Sequence, residues 1–117
     1  MTPSSFETWY DLNALAVKDV PQRGSKGFVY ILRQRSTKNV LYIGGTADLR
    51  RTLFASYIAG VGGTAAERVH ELLFSEGAID DTEVSWGEVA DYDAEELRLR
   101  QAHLEQEGEM PPWNKPL

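Results

Sequence analysis

The segment from Phe28 to Thr52 constrains the fold of this chain more than any other stretch. Its sequence, FVYILRQRSTKNVLYIGGTADLRRT, contains two short runs of β-forming residues, 28–32 and 40–43, joined by a polar loop. The second run ends in the glycine pair 44–45, and a helix that extends to about Ala59 can begin directly after it. The segment therefore predicts an antiparallel hairpin followed at once by a helix.

The rest of the chain supplies further helices and one more strand. Hydrophobic periodicity, capping residues and breakers predict four of these elements. They are a helix from Ser4 or Ser5 to about Lys18, a helix from Thr64 to Ser75, a strand from Thr82 to Ala90 with a bulge at Gly87, and a helix from Asp91 or Asp93 to about Gln106. Leu97, Leu104 and, as a further candidate, Leu99 are expected to face inward from this last helix.

Together these elements predict an α+β fold: a small antiparallel sheet with a three-stranded core, flanked by helices. The chain has 117 residues, which fits a single domain over 1–117. Within it, residues 1–26 form an N-terminal helix and an approach loop, and residues 27–114 form the core.

Composition narrows the classes of function. The chain has no cysteine, which excludes disulfides, thiolate metal sites and cysteine nucleophiles. No apolar run approaches the ~20 residues of a membrane span, and the N-terminus is unlike a signal peptide, so we expect a cytoplasmic protein with no membrane partner. The net charge is −6, but residues 18–51 carry eight basic and two acidic side chains, whereas residues 76–109 carry twelve acidic side chains and two arginines. A basic face for an anionic partner is therefore possible on an acidic protein.

Several motifs in this order resemble the GIY-YIG nuclease superfamily. They are FVY ending at Tyr30, LYIGG ending at Gly45 and followed by TADLRR, Glu96-x-x-Leu99, and PPWN ending at Asn114. The resemblance implies a small sheet flanked by helices and the hydrolysis of a nucleic-acid phosphodiester with one divalent ion, Mg²⁺ or Mn²⁺. A cation and an arginine would stabilise the negative charge of the transition state.

The resemblance also implies roles for individual residues. Carried over position by position, it gives a water-activating Tyr42, a supporting Tyr30, a tight-turn Gly44, a metal-binding Glu96 (with Glu95 as the alternative) and a site-completing Asn114. Substrate contacts are expected from Gly44, Arg50 and Lys38.

The chain departs from the family at the helix that follows YIG. Thr52 stands where the family has its phosphate-stabilising arginine, and Arg50 and Arg51 directly precede it. Arg51 is therefore the expected catalytic arginine. The histidine or tyrosine that often follows four residues later is Ser56 here, with Tyr57 adjacent.

These features leave three functions open. The first, which Tyr30, Tyr42, Glu96 and Asn114 together favour, is a metal-dependent endonuclease acting on DNA. The second is a catalytically impaired module with the same fold that binds nucleic acid or a protein partner. The third is a scaffold whose acidic helix over 95–109 binds a basic partner.

Overall fold

The computed structural model describes residue 6 and residues 8–114, with Thr64 and Ala65 described by their backbone alone. Four strands form one antiparallel sheet in the order β1-β4-β2-β3. Their bounds are β1 Tyr10–Asp11, β2 Gly27–Gln34, β3 Val40–Thr46 and β4 Thr82–Val89.

The described residues also form three helices. They are a π-helix over Arg51–Ile58, α1 over Thr64–Phe74 and α2 over Tyr92–Glu107. Short 3₁₀ turns occupy Leu12–Ala14, Val17–Asp19 and Ala78–Asp81. The α+β class and the antiparallel sheet are thus confirmed. In the part of the chain that is described, no helix is both long and apolar enough to cross a membrane.

The central strand β2 divides the core between the two faces of the sheet, because successive side chains on a strand point to opposite faces. Phe28, Tyr30 and Leu32 pack with the π-helix and α1 in one cluster. Val29 and Ile31 pack on the other face in a cluster that includes Leu99 of α2. The sheet therefore lies between the π-helix and α1 on one side and α2 on the other.

The predicted N-terminal helix is wrong for the residues that are described; residues 1–5 and 7 lie outside them. The chain instead forms β1 and two 3₁₀ turns between Tyr10 and Asp19. The reason lies in the tertiary contacts of this segment. Trp9 packs in the cluster with Val29, whereas Leu12 packs on the opposite face of the sheet. A single straight helix cannot place neighbouring apolar residues on two faces of a sheet, so the segment crosses the sheet edge as a short strand.

Two further details differ from the sequence prediction. Leu97 and Leu104 are exposed, at 46% and 37%, whereas Leu99 is buried. The stripe of α2 that approaches the sheet runs through Tyr92, which packs against the core, and Leu99. The predicted bulge at Gly87 is absent, since β4 keeps continuous register with all of β2, and the irregularity lies between Leu32 and Arg33 opposite β3.

Candidate functional site

Three tyrosines form a compact cluster beneath the π-helix. Tyr30 lies on β2, Tyr42 on β3 and Tyr57 on the π-helix. Their ring centroids are 6.0 to 6.2 Å apart, and the Tyr30 and Tyr57 hydroxyls are hydrogen-bonded to each other. The two tyrosines of the motif are therefore close together, and the hydroxyl of Tyr30 bonds to a third tyrosine on the helix.

The environment of this cluster opposes ionisation of two of its phenols. Burial raises the pKa of Tyr30 well above its usual value of about 10, and the neighbouring Tyr57 and Tyr42 raise it further. The pKa of Tyr57 is also raised, again chiefly by burial. Both side chains therefore stay neutral at physiological pH. Tyr42, which is half-buried, is the member of the cluster with access to solvent.

Gly44 makes the cluster possible but is not exposed to a ligand. It is buried and pairs with Tyr30 across the hairpin. A Cβ atom at this position would lie 2.4 Å from the Tyr30 ring and 2.9 Å from the Tyr42 ring. The packing of Tyr30 therefore explains why a glycine is needed at this position of the YIG motif. The predicted contact between Gly44 and a substrate is not possible here, because the Tyr30 ring already covers Gly44.

Glu96 lies on α2, beside Gly45 of β3. Its charge contributes to the raised pKa values of both Tyr30 and Tyr57. Its Oε1 atom lies 3.1 Å from the position that a Cβ of Gly45 would take. The other oxygen, Oε2, accepts a hydrogen bond from Nη1 of Arg100 at 3.2 Å. The predicted metal ligand is thus beside the glycine pair of the YIG motif and is already paired with a cation.

This arrangement is a poor fit for the expected Mg²⁺ or Mn²⁺. Among the residues that are described, no group of three or more histidine and acidic side chains could hold a metal ion. Mg²⁺ can bind through one carboxylate together with water and substrate phosphate. Glu96 would be that carboxylate, but the guanidinium of Arg100 competes for it. The neighbouring Glu95 forms an ion pair with Arg98.

The arginines after the YIG motif have different surroundings. Arg50 is half-buried, and its Nε donates to the carbonyl of Val20 at 2.6 Å, so it holds the approach loop. Arg51 is exposed, and its backbone N–H donates to the Asp48 carboxylate at the start of the helix. Of the two arginines, Arg51 is the one available to an anion.

Thr52, at the position of the family's arginine, is bonded within the protein. Its hydroxyl donates to the Thr46 hydroxyl at 2.8 Å, and that oxygen also accepts the N–H of Asp48 at 3.1 Å. The position thus carries a neutral hydroxyl that helps to fix the start of the helix.

A cleft of about 440 Å³ opens beside these residues. It joins the end of β3, the π-helix, the loop before α1 and the start of α2. Its lining includes two arginines, three hydroxyl side chains and one carboxylate: Arg23, Arg51, Thr46, Thr52, Ser56 and Asp48, together with Tyr92 and three glycines. Two positive charges face one negative charge, so the cleft is suited to an anionic ligand.

Asn114 connects the C-terminal tail to the outer edge of β3. Its side-chain oxygen accepts the N–H of Ile43 and its amide donates to the Ile43 carbonyl, each at 2.9 Å. The backbone N–H of Trp113 also donates to the Leu41 carbonyl at 2.9 Å. Both hydrogen-bonding groups of the Asn114 side chain are thus used by the backbone of the YIG motif. Residues two apart on an antiparallel strand share their hydrogen-bonding direction, so the N–H of Gly45 points to the same edge, where the cleft begins.

Lys38 is not near the cleft. It lies in the β2–β3 loop, beyond Val40, where β3 begins, and Val40 is itself roughly 17 Å from Gly45 along the strand at about 3.3 Å per residue. Its Nζ pairs with Glu83 at 3.5 Å. Glu83 also binds Arg33 at 2.5 Å and is buried. Lys38 therefore belongs to an ion-pair group that joins β2, its loop and β4.

Sequence reasoning missed three residues of this region as site residues: Tyr57, Tyr92 and Arg23. Ser56 lines the cleft, while Tyr57, one residue on, points into the core. The widened turn of the π-helix is seen where the N–H of Ala59 donates to the carbonyl five residues back. The sequence did carry one signal for Tyr57, because this tyrosine is adjacent to Ser56, the position at which the family often has a histidine or tyrosine. Tyr92 and Arg23 come from separate segments, and no local pattern marks them.

Comparison with models of known families, with characterised proteins and with solved structures finds no match to this chain. The likeness to the GIY-YIG superfamily therefore rests on the motif residues.

Proposed function

We propose that this chain is a GIY-YIG-like domain that binds the phosphodiester backbone of nucleic acid in the cleft beside Thr52 and has lost most of the family's hydrolytic activity. The observation that carries the proposal is the composition of this cleft. Arg51 and Arg23 line it and provide positive charge, while Thr52 provides a neutral hydroxyl where the family has an arginine. The positive charge is what phosphate binding needs. Stabilisation of the transition state needs the arginine that Thr52 replaces.

The neighbouring groups support binding over chemistry. Arg50 is held by the Val20 carbonyl and cannot take the place of the missing arginine without releasing it. The Glu96 carboxylate is paired with Arg100, which weakens it as a metal ligand.

Binding is tested by fluorescence anisotropy with a labelled DNA oligonucleotide at several salt concentrations. Arg51→Ala should weaken binding about tenfold and reduce the slope of log K against log salt by about one, since one phosphate contact is lost. The matched control is Arg98→Ala, which removes an exposed arginine on α2 whose partner is Glu95. Equal effects of the two variants would show that binding is not located in the cleft.

An active endonuclease is the second candidate. It is favoured by the position of Glu96, whose Oε1 lies 3.1 Å from the place that a Cβ of Gly45 would take, beside the strand that carries Tyr42. Arg51 would then contact the phosphate, and Glu96 would hold Mg²⁺ or Mn²⁺. A plasmid-nicking assay distinguishes the two proposals. Metal-dependent nicking by the wild type that is lost in both Tyr42→Phe and Glu96→Ala would establish the enzyme and contradict the impaired domain.

A further inference from the structure

Tyr92 forms one wall of the cleft and has no part in the tyrosine cluster. It is the first residue of α2, directly after Asp91, whose carboxylate accepts the N–H of Ala94 at 3.1 Å and fixes the start of the helix. The Tyr92 side chain is half-buried, packs against the core and lines the cleft. An aromatic side chain is thus presented beside the two arginines of the cleft.

Two glycines fix the position of this ring. A Cβ at Gly27 would lie 2.2 Å from Cδ2 of Tyr92, and a Cβ at Gly45 would lie 3.1 Å from Cδ1. Gly27 is on β2 and Gly45 is on β3, so the ring lies against the backbone of two neighbouring strands. Packing on both strands restricts its rotation. The ring is therefore held in place before a ligand arrives, which lowers the entropic cost of binding to it.

The size and composition of the cleft limit what can reach the ring. Its volume of about 440 Å³ is typical of a site for one small molecule, for which ~300–1,000 Å³ is usual. Arg23 and Arg51 suit a phosphate, and an aromatic side chain suits the face of a base. Bases in a duplex present only their edges in the grooves, so a paired base cannot place its face on this ring.

We propose that the cleft binds one unpaired nucleotide of a nucleic-acid strand, with the base stacked on Tyr92 and the phosphate held by Arg51 and Arg23. This inference rests on the proposed function, because it assumes that the cleft binds nucleic acid. It goes further by naming single-stranded or locally unpaired nucleic acid as the ligand class.

The test compares a labelled single-stranded oligonucleotide with the same sequence in a duplex, using anisotropy with wild-type protein, Tyr92→Phe and Tyr92→Leu. Single-stranded DNA should bind more tightly than duplex. Tyr92→Phe keeps the ring and should bind like the wild type. Tyr92→Leu should weaken single-strand binding by about 5- to 150-fold, the range for loss of one base–aromatic stack. Circular dichroism confirms that each variant is folded.

A second measurement changes the oligonucleotide. Oligonucleotides in which each position in turn is abasic should reveal one at which removal of the base weakens wild-type binding by a similar factor. Tyr92→Leu should show no further loss for that abasic oligonucleotide. Single-strand and duplex binding of equal strength, together with full binding of every abasic oligonucleotide, would overturn this inference and leave cleft binding intact if Arg51→Ala is still impaired. Absence of any nucleic-acid binding by the wild type would overturn both proposals.

Discussion

The Thr52 hydroxyl donates a hydrogen bond to the Thr46 hydroxyl at 2.8 Å, which links the first turns of the π-helix to the end of β3. This neutral pair stands where the resemblance implies a guanidinium directed at phosphate. The position therefore stabilises the junction between strand and helix. It provides no positive charge for a transition state, although the cleft beside it has two arginines on its walls.

Thr52→Arg should increase plasmid nicking in the presence of Mg²⁺ or Mn²⁺. The new guanidinium would line the cleft, and a single electrostatic donor of this kind is worth up to about 10²–10³ in rate. Thr52→Val is the matched control, because it removes the same hydroxyl without adding charge, and it should show no increase. Nicking by Thr52→Arg that stays at the level of Thr52→Val would show that more than this arginine is missing.

The tyrosine cluster should make the protein lose stability at alkaline pH. Unfolded tyrosine has a pKa near 10, and burial raises the pKa values of Tyr30 and Tyr57 in the folded state. The contribution of these two neutral tyrosines to the free energy of unfolding is fully present below about pH 10. Above it the unfolded chain releases protons that the folded chain retains, so the free energy of unfolding falls by up to about 1.4 kcal/mol per pH unit for each tyrosine.

Urea unfolding between pH 8 and pH 11 measures this loss. Tyr57→Phe removes one of the two groups and should give a shallower fall above pH 10. Equal slopes for wild type and variant would mean that Tyr57 ionises in the folded state as readily as in the unfolded state.

Gly44→Ala should destabilise the fold by about 1–3 kcal/mol, the usual cost of overpacking a core. Its Cβ would lie 2.4 Å from the Tyr30 ring, which cannot move without disturbing its hydrogen bond to Tyr57. Gly24→Ala is the control, since a Cβ there has no atom within 4 Å. Chemical denaturation of both variants checks the prediction, and equal midpoints would contradict the packing role of Gly44.

Glu83→Gln should lower the free energy of unfolding by about 1.5–3 kcal/mol, the range for hydrogen bonds to charged groups. Glu83 is buried and binds Arg33, which also lies over the Trp9 ring at 3.7 Å from its centroid. The neutral amide would leave that guanidinium without its counter-charge. Glu88→Gln, an exposed change on the same strand, should have little effect. Similar denaturation midpoints for the two variants would show that the ion pair adds no stability.

Local pattern was enough to predict the hairpin, because the two runs of β-forming residues and the glycine pair lie within 28–46. It also indicated that Tyr30 and Tyr42 lie close together, since they are on neighbouring strands of one hairpin. The N-terminal segment could not be read in this way. Its apolar residues serve both faces of the sheet, and tertiary contacts override the helical spacing of Trp9 and Leu12.

The inward face of α2 was mispredicted for a related reason. Of the three leucines that hydrophobicity favoured, only Leu99 is buried, and the face toward the sheet also carries a tyrosine and a carboxylate at Tyr92 and Glu96. The cleft could not be predicted from local sequence pattern either. Its lining comes from the approach loop, the end of β3, the π-helix and α2, and only the assembled sheet brings Arg23 and Tyr92 to the same opening.

The link between Asn114 and Ile43 has a consequence for how the chain folds. It joins residues 71 positions apart, so it forms only after a long loop has closed. During synthesis the ribosome must have released residue 114 before the outer edge of β3 can be covered. Until then that edge presents unpaired backbone groups to other chains, and an unprotected strand edge promotes aggregation. Asn114 thus protects the outer edge of the hairpin from other chains once it is bound there.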